Sequence, residues 1–228
     1  MIRTVEHEHH EFFSDHRWAV VFAAALYLLA AAVFLVMAVE PTAFQPLDDW
    51  WHRRMVAIET GWVTALAQGL DLIGGSYVTW PLRVGVAVML GVRRLWVLLG
   101  YWIVTVAVSE VAIGTLKAAY DRPRPPLSLV ETTGASFPSG HSVAVAATAV
   151  ALVIVLFAPG AERRVWEVRA GGFALLMAMS RPYLRAHWLT DALAGLLLGA
   201  ATALLLAGAS DAIRARRAAR RTADQGTT

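Results

Sequence analysis

The sequence predicts an all-helical membrane protein, a bundle of about six transmembrane helices with shorter helices at the membrane interface. Two observations predict this fold class. Hydrophobic residues make up 57% of the 228 residues and the mean hydropathy is +0.54, whereas soluble domains are about 45–50% apolar. The apolar residues also fall into separate stretches of about 20 residues, which is the length of helix that crosses the hydrocarbon of a bilayer.

The predicted spans define the domain organisation. In chain order they are 18–39, 76–92, 95–117, 141–158, 168–184 and 188–209. The first is predicted to be an uncleaved helix, because its apolar part is too long for a signal peptide. Residues 46–73 are more mixed, which predicts one or two helices at the interface or packed beside the bundle. One membrane domain, 18–209, is thus predicted between an N-terminal tail, 1–17, and a basic C-terminal tail, 210–228, whose last eight residues are predicted to be disordered.

Clusters of arginine predict the orientation, because such clusters stay on the cytoplasmic side. They are Arg93 and Arg94 after the second span, Arg163, Arg164 and Arg169 after the fourth, and Arg214, Arg216, Arg217, Arg220 and Arg221 after the sixth. Six spans place all these clusters, and both termini, in the cytoplasm. The net charge of +3 therefore reflects topology rather than a nucleic-acid surface. The absence of cysteine excludes disulfides and thiolate sites.

The predicted outer side also carries cations. Because cations near membrane spans normally lie on the cytoplasmic side, these outer cations are predicted to have a task other than setting the orientation. These cations are Lys117, Arg122, Arg124, Arg181 and Arg185. Lys117 ends the third span, and Arg124 follows in a proline-rich loop with a stiff backbone. Two cations held close together repel each other unless an anion lies between them. The alternative is that Lys117 snorkels to the interface and the Arg-Pro pairs form a solvated turn.

The stretch GASFPSGHSV, residues 134–143, opens the fourth span. Pro138 suits the start of a helix, and Gly140 lets backbone approach a ligand closely. The free N–H groups and the positive dipole end of the helix favour an anion, to which Ser139 adds a hydroxyl donor. His141, in the first turn, suits proton transfer beside a bound anion. The alternative is a plain helix cap with an incidental histidine.

The stretch SRPYLRAHWLTDALAG, residues 180–195, joins the last two spans. Arg181 ends one span, and His187 and Asp191 are four residues apart at the start of the next, so they share a helix face. A carboxylate that accepts a hydrogen bond from one ring nitrogen leaves the other more nucleophilic. An acid inside an apolar span is costly unless it is paired. A purely structural pair is the alternative.

Together these stretches resemble the three signature motifs of the type 2 phosphatidic acid phosphatase superfamily, which includes vanadium haloperoxidases and glucose-6-phosphatase. The family pattern is Lys, six residues, Arg-Pro; then Pro-Ser-Gly-His; then Ser-Arg, five residues, His, three residues, Asp. The matching positions are Lys117 with Arg124-Pro125, then Pro138, Ser139, Gly140 and His141, then Ser180-Arg181 with His187 and Asp191. All three motifs lie on the predicted outer side.

The resemblance implies a role for each matched position. The phosphate oxygens would be held by Lys117, Arg124, Ser139, Gly140 and Arg181. His187, oriented by Asp191, would attack phosphorus to form a phosphohistidine, and His141 would protonate the leaving oxygen and later help water to attack. Positioning and charge stabilisation are what phosphoryl transfer needs. The sequence shows no outward cluster of carboxylates for a divalent metal, so chemistry without metal or cofactor is predicted.

The predicted function is therefore an integral lipid phosphatase of the cell membrane, with its site at the outer face and a lipid phosphate or pyrophosphate in the bilayer as its partner. Among the substrates that the resemblance implies, undecaprenyl pyrophosphate ranks first; the alternatives are phosphatidylglycerophosphate, phosphatidic acid and diacylglycerol pyrophosphate. A lipid-phosphate-binding scaffold is a non-enzymatic alternative. A transporter that relays protons through Glu110 and Asp71 is another, although pairing with a neighbouring span is the preferred interpretation of Glu110.

Two terminal segments lie outside the motifs. Residues 7–11, HEHHE, could bind a metal ion, but a solvated tail is the preferred interpretation. Residues 214–221, RARRAARR, could bind anionic lipid headgroups, but they are interpreted as a signal for orientation.

Overall fold

The computed structural model describes the backbone of residues 16–225 and the side chains of residues 20–216. The segment 7–11 lies outside the described residues. Within them the chain forms eight helices and no strand: α1 (His16–Val39), α2 (Gln45–Ala57), α3 (Gly61–Gly74), α4 (Ser76–Val92), α5 (Trp96–Tyr120), α6 (Gly140–Leu156), α7 (Ala161–Tyr183) and α8 (Leu189–Gln225).

The predicted all-helical membrane bundle is confirmed, and the six predicted spans correspond to α1 and α4–α8. Among the described helices, α1, α5 and α8 are each long and apolar enough to cross a membrane, and α3 with α4 passes the same test as a pair bent by 43°. The apolar helix α6 is shorter, at 17 residues. Large apolar side chains such as Phe22, Leu28 and Leu35 of α1 are exposed, as expected of a surface that faces lipid.

Residues 46–73 form two helices, α2 and α3, which pack against the bundle as one of the predicted alternatives had it, and α3 leads into α4 through a sharp bend. One expectation about the C-terminal end is wrong: the chain stays helical beyond 209, through Gln225, so the disorder predicted for 221–228 does not hold for 221–225. Alanine and arginine dominate residues 212–221, and their high helix propensity explains why α8 continues.

The packing of α6 against α8 positions the site. Gly195 and Gly199 lie one turn apart on α8, and a methyl group at either position would collide with the α6 backbone, at the carbonyls of Ser139 and Val143. Small residues at this spacing let two membrane helices approach closely. The amino-terminal ends of α6 and α8 therefore lie side by side, where the Ser139 N–H donates to the Asp191 carbonyl over 3.0 Å.

An ion pair between a buried arginine and a partly exposed acid joins α4, α5 and α6 away from this end. Arg83 donates to Glu110 over 2.6 Å, to the Thr148 hydroxyl over 2.9 Å and to the Ala144 carbonyl over 3.2 Å. Glu110 thus has a cationic partner on a neighbouring helix, which agrees with the preferred interpretation of this acid.

Candidate active site

All eight residues predicted to form the site lie at one end of the bundle. Four helix ends meet there: the carboxyl-terminal turns of α5 and α7, with Lys117 and Arg181, and the amino-terminal turns of α6 and α8. Helix amino termini attract anions and helix carboxyl termini favour cations. The loops 121–139 and 184–188 close this end of the molecule and carry Arg124 and His187.

The loop before α6 fixes Arg124 and Lys117. Arg124 donates to the carbonyls of Thr133 over 2.7 Å, Gly134 over 2.9 Å and Ala186 over 2.6 Å. The Lys117 ammonium donates to the Ala135 carbonyl, to which Arg124 also donates over 3.3 Å. The predicted pair of adjacent cations is therefore present and held by backbone. Burial and the nearby Arg181 lower the pKa of Arg124, but a guanidinium stays charged in proteins.

The two ring nitrogens of His187 face different partners, a cation on one side and an acid with a hydroxyl on the other. Its Nε2 lies 3.3 Å from an Arg124 nitrogen, and because a guanidinium only donates, Nε2 must carry a lone pair. Its Nδ1 lies 3.6 Å from an Asp191 oxygen and 3.5 Å from the Ser136 hydroxyl. Burial lowers the pKa of His187 to about 4, although Asp191 acts in the opposite direction. The imidazole is thus neutral at pH 7, and its unprotonated Nε2 faces Arg124.

Asp191 is fixed by three donors, which explains how an acid can be buried at the start of an apolar helix. Arg122 donates to one oxygen over 2.6 Å, and the Trp188 N–H donates to the other over 2.9 Å. The Ser136 hydroxyl also donates to that second oxygen. Since α8 begins at Leu189, the contact with Trp188 is the backward half of a capping box. The carboxylate therefore caps α8 and faces His187 at the same time.

A second buried acid, Asp48 of α2, extends this network. Arg122 donates to Asp48 over 2.7 Å, so one guanidinium lies between two carboxylates. Asp48 also accepts from the Thr190 N–H over 2.9 Å and from the Thr190 hydroxyl over 2.6 Å. Residues 46–73 thus reach the site, and sequence reasoning missed Asp48 and Ser136. A signal was present, because an acid in a partly apolar helix needs a buried partner.

The side chain of His141 lies against α3. Its Nε2 is 3.2 Å from an oxygen of Asp71, and Arg181 of α7 donates to the same oxygen. The Arg181 Nε is buried without a hydrogen-bond partner among the described residues. Asp71 therefore joins two residues of the predicted site, a contact that the sequence did not reveal.

Ser139 and Gly140 begin α6 as predicted, but the Ser139 hydroxyl has a structural partner. It is fully buried and accepts from the Ser142 N–H over 3.4 Å and from the Ser142 hydroxyl over 3.0 Å. This is a helix cap. A Cβ at Gly140 would lie 3.8 Å from the Lys117 Cε, so the glycine keeps the helix end close to the ammonium.

The five outward cations divide into two groups. Arg122 is paired with the two acids already described, and Arg185 pairs with Glu59 over 2.9 Å. These two, which were not among the residues predicted to hold phosphate, thus have acidic partners, whereas Arg124 contacts His187 and Arg181 shares Asp71 with His141. Among the described residues no group of three or more His, Asp or Glu side chains is placed to hold a metal ion.

Comparison with known proteins decides the family. Residues 94–214 match the PAP2 superfamily, and this range is more than half of the chain and includes all three motifs. The chain belongs to the PAP2 superfamily. The resemblance seen in the sequence is thereby confirmed, and this PAP2 protein is a membrane enzyme, a lipid phosphatase.

Relatives of this PAP2 enzyme cover most of its length. It is 29% identical over 188 residues to the phosphatidylglycerophosphatase B of Bacillus subtilis (strain 168), which covers 80% of this chain and 92% of the relative. The crystal structure of a transmembrane PAP2 type phosphatidylglycerolphosphate phosphatase from Bacillus subtilis superposes with a TM-score of 0.73 at 26% identity, over 84% of this chain and 96% of that one. Aquifex aeolicus LpxE, at 20% identity and a TM-score of 0.57 over 68% of this chain and 91% of that one, shares the fold.

Proposed function

We propose that this PAP2 enzyme removes the terminal phosphate of phosphatidylglycerophosphate, through a phosphohistidine on His187. The observation that carries the mechanism is the neutral, buried His187, whose Nε2 lies 3.3 Å from Arg124. The substrate assignment draws on the Bacillus subtilis relatives, which are named for activity on phosphatidylglycerophosphate. Undecaprenyl pyrophosphate, ranked first from the sequence alone, has no such support. It is therefore the competing substrate in the assay described below.

The first half-reaction follows from the two histidines. The Nε2 lone pair of His187 attacks phosphorus, and the bond between phosphorus and the glycerol oxygen breaks. His141, as an imidazolium, donates its Nε2 proton to that oxygen, so the lipid leaves with a free hydroxyl group in place of the phosphate ester. Asp191 and the Ser136 hydroxyl stabilise the proton on His187 Nδ1; these contacts, at 3.6 and 3.5 Å, are of a kind that shortens in the reacting complex.

The second half-reaction returns the enzyme to its starting state. His141, which has lost its proton, takes one from a water molecule, and the resulting hydroxide attacks the phosphohistidine. The bond between phosphorus and Nε2 breaks, and inorganic phosphate leaves. One water is consumed and one phosphate is produced in each cycle, with both histidines restored.

The cations serve the phosphoryl group in both steps. Lys117, Arg124 and Arg181 surround its spread negative charge, and the first N–H groups of α6, at Gly140 and His141, add dipoles that need no reorganisation. The Arg181 Nε, buried without a partner among the described residues, is a donor for one of the oxygens. Ser139 contributes by fixing the end of α6.

The site faces the outer water boundary of the cell membrane, and both termini are cytoplasmic. The support is the position of Arg93, Arg94 and Arg163, which lie at the helix ends opposite the site. The phosphate of a lipid headgroup then reaches the cations while the acyl chains stay in the bilayer. A reporter protein fused to the C-terminus should be located in the cytoplasm. A reporter found outside the membrane would contradict this topology.

A substrate panel tests the function. Purified wild-type enzyme in detergent is assayed for phosphate release from phosphatidylglycerophosphate, phosphatidic acid, undecaprenyl pyrophosphate and a soluble phosphomonoester, with the His187→Ala variant as the blank. We expect the highest kcat/KM for phosphatidylglycerophosphate. A higher value for undecaprenyl pyrophosphate would return the assignment to the prediction from sequence.

A further inference from the structure

Asp71 lies inside the site but belongs to none of the three motifs. It is located in the last turn of α3, and one of its oxygens accepts from Arg181 and lies 3.2 Å from the His141 Nε2. The carboxylate is 26% exposed and the imidazole 29%. This is the part of the site that solvent and a headgroup can reach.

The contact identifies where the His141 proton is. An ionised carboxylate has no hydrogen to donate, so the hydrogen between Asp71 and His141 must lie on Nε2. Nε2 is also the nitrogen that gives its proton to the leaving oxygen in the proposed reaction. The acid must be the imidazolium, which has a hydrogen on both ring nitrogens, because a neutral ring that lost its Nε2 proton would become an imidazolate. A carboxylate beside a histidine stabilises the positively charged ring and fixes its orientation.

The surroundings of α3 hold Asp71 at this position. Two glycines, Gly74 and Gly75, follow the acid, and a Cβ on the first would lie 3.1 Å from the His141 ring. The break between α3 and α4 can therefore pack directly against the imidazole. Earlier in the same helix, Thr64 is 3.1 Å from the Tyr183 hydroxyl and Gln68 donates to the Leu129 carbonyl over 3.2 Å. These bonds tie α3 to the end of α7 and to the site loop.

We propose that Asp71 is a positioning residue for proton donation: its negative charge holds the protonated ring of His141 at the site, with Nε2 on the side where the leaving oxygen arrives, and aligns Arg181 beside it. The proposal rests on the proposed function, in which His141 is the general acid. Asp71 itself gains or loses no proton, because the proton that leaves His141 goes to the glycerol oxygen and is replaced from water.

A comparison of leaving groups tests the proposal. Short-chain phosphatidylglycerophosphate loses an alkoxide, which needs a proton, whereas p-nitrophenyl phosphate loses a stable phenolate, which needs little help. The readout is kcat/KM for both substrates, because this ratio reports the first phosphoryl transfer. The variants are His141→Ala, Asp71→Asn and Asp71→Glu, with Asp121→Asn, an exposed aspartate outside the network, as the matched control.

We expect His141→Ala to lower kcat/KM for the lipid by about 10²–10⁴-fold, the usual range for a general acid, and to lower it much less for p-nitrophenyl phosphate. Asp71→Asn should lower kcat/KM for the lipid by about 10–100-fold and lower it much less for p-nitrophenyl phosphate. The effect is smaller than that of His141→Ala because the acid itself is still present. Asp71→Glu should recover part of the loss, and Asp121→Asn should match wild type on both substrates.

Two results would overturn the proposal in distinguishable ways. If His141→Ala slowed both substrates equally, the acid assignment would fail, and the role of Asp71 with it. If His141→Ala discriminated but Asp71→Asn lowered both substrates equally, Asp71 would be structural and the proposed mechanism would stand. Retained turnover of p-nitrophenyl phosphate by Asp71→Asn also shows that the variant is folded.

Discussion

The two histidines of the site have different surroundings. His187 and its partner Asp191 are 3% and 0% exposed, and Asp191 accepts from three donors. His141 and its partner Asp71 are 29% and 26% exposed, and Asp71 shares one oxygen between His141 and Arg181. Both pairs consist of an imidazole and a carboxylate, but only the His187 pair is enclosed.

The difference corresponds to the two tasks. A nucleophile must hold one tautomer and one direction, and a buried, fully bonded carboxylate supplies this without rearrangement. A general acid must meet a lipid oxygen and afterwards a water molecule, so it has to remain accessible. The His187 side is therefore the fixed half of the site, and the His141 side is the half that exchanges partners.

The most severe test of the fixed half is His187→Ala. Because this variant lacks the atom that bonds phosphorus, kcat should fall by about 10⁴-fold or more. Asp191→Asn should be less severe, since the nucleophile remains and only its orientation suffers. Wild-type enzyme quenched during turnover with labelled lipid should contain acid-labile protein-bound phosphate, which the His187→Ala variant should lack. Near-normal turnover by that variant would remove His187 from the mechanism.

Arg122→Gln tests whether the buried network supports the nucleophile. The substitution leaves Asp48 and Asp191 close together without the cation between them, and breaking a buried ion pair costs about 3–5 kcal/mol. We expect a lower Tm in detergent and a fall in kcat of about 10²-fold, with a smaller change in KM. Arg185→Gln is the matched control, because Arg185 pairs with Glu59 over 2.9 Å, apart from Asp191. Equal effects of both variants on kcat would show that Arg122 has no special link to catalysis.

The sequence revealed the residues whose relations are local. Ser139 to His141 form one helix start, as predicted. The spacing of His187 and Asp191 also brought them together, although they do not share a helix face as predicted, because His187 lies in the loop just before α8. Asp48 and Asp71 could not be placed, because their partners are distant in the chain and their contacts depend on how α2 and α3 pack. For the same reason the sequence could not assign a task to Arg122 and Arg185: their partners Asp48 and Glu59 belong to residues 46–73, whose position relative to the bundle the sequence did not define.

The burial of His187 predicts a pH dependence of stability. Its pKa falls from 6.5 to about 4 on folding, so between these values the unfolded chain takes up a proton that the folded protein does not. Stability from this group is present above pH 6.5 and decreases as the pH falls towards 4. Between pH 6.5 and 5 the Tm of wild type should therefore fall by a few degrees more than that of His187→Gln. If the Tm of both proteins fell equally over this pH range, the His187 ring would be solvated, and the contrast between His187 and His141 would disappear.

The smallest expected effect is that of removing metal ions. It tests whether the cations of the site are enough to neutralise the charge of the phosphoryl group. Lys117, Arg124, Arg181 and the amino terminus of α6 supply positive charge around one phosphoryl group, as a metal ion does in other phosphatases. EDTA should therefore change kcat/KM by less than about twofold, since no step of the proposed reaction needs a Lewis acid. Vanadate, which adopts the five-coordinate geometry of the transition state, should inhibit competitively. A requirement for Mg²⁺ restored by titration would show that the cations orient the substrate but do not neutralise its charge.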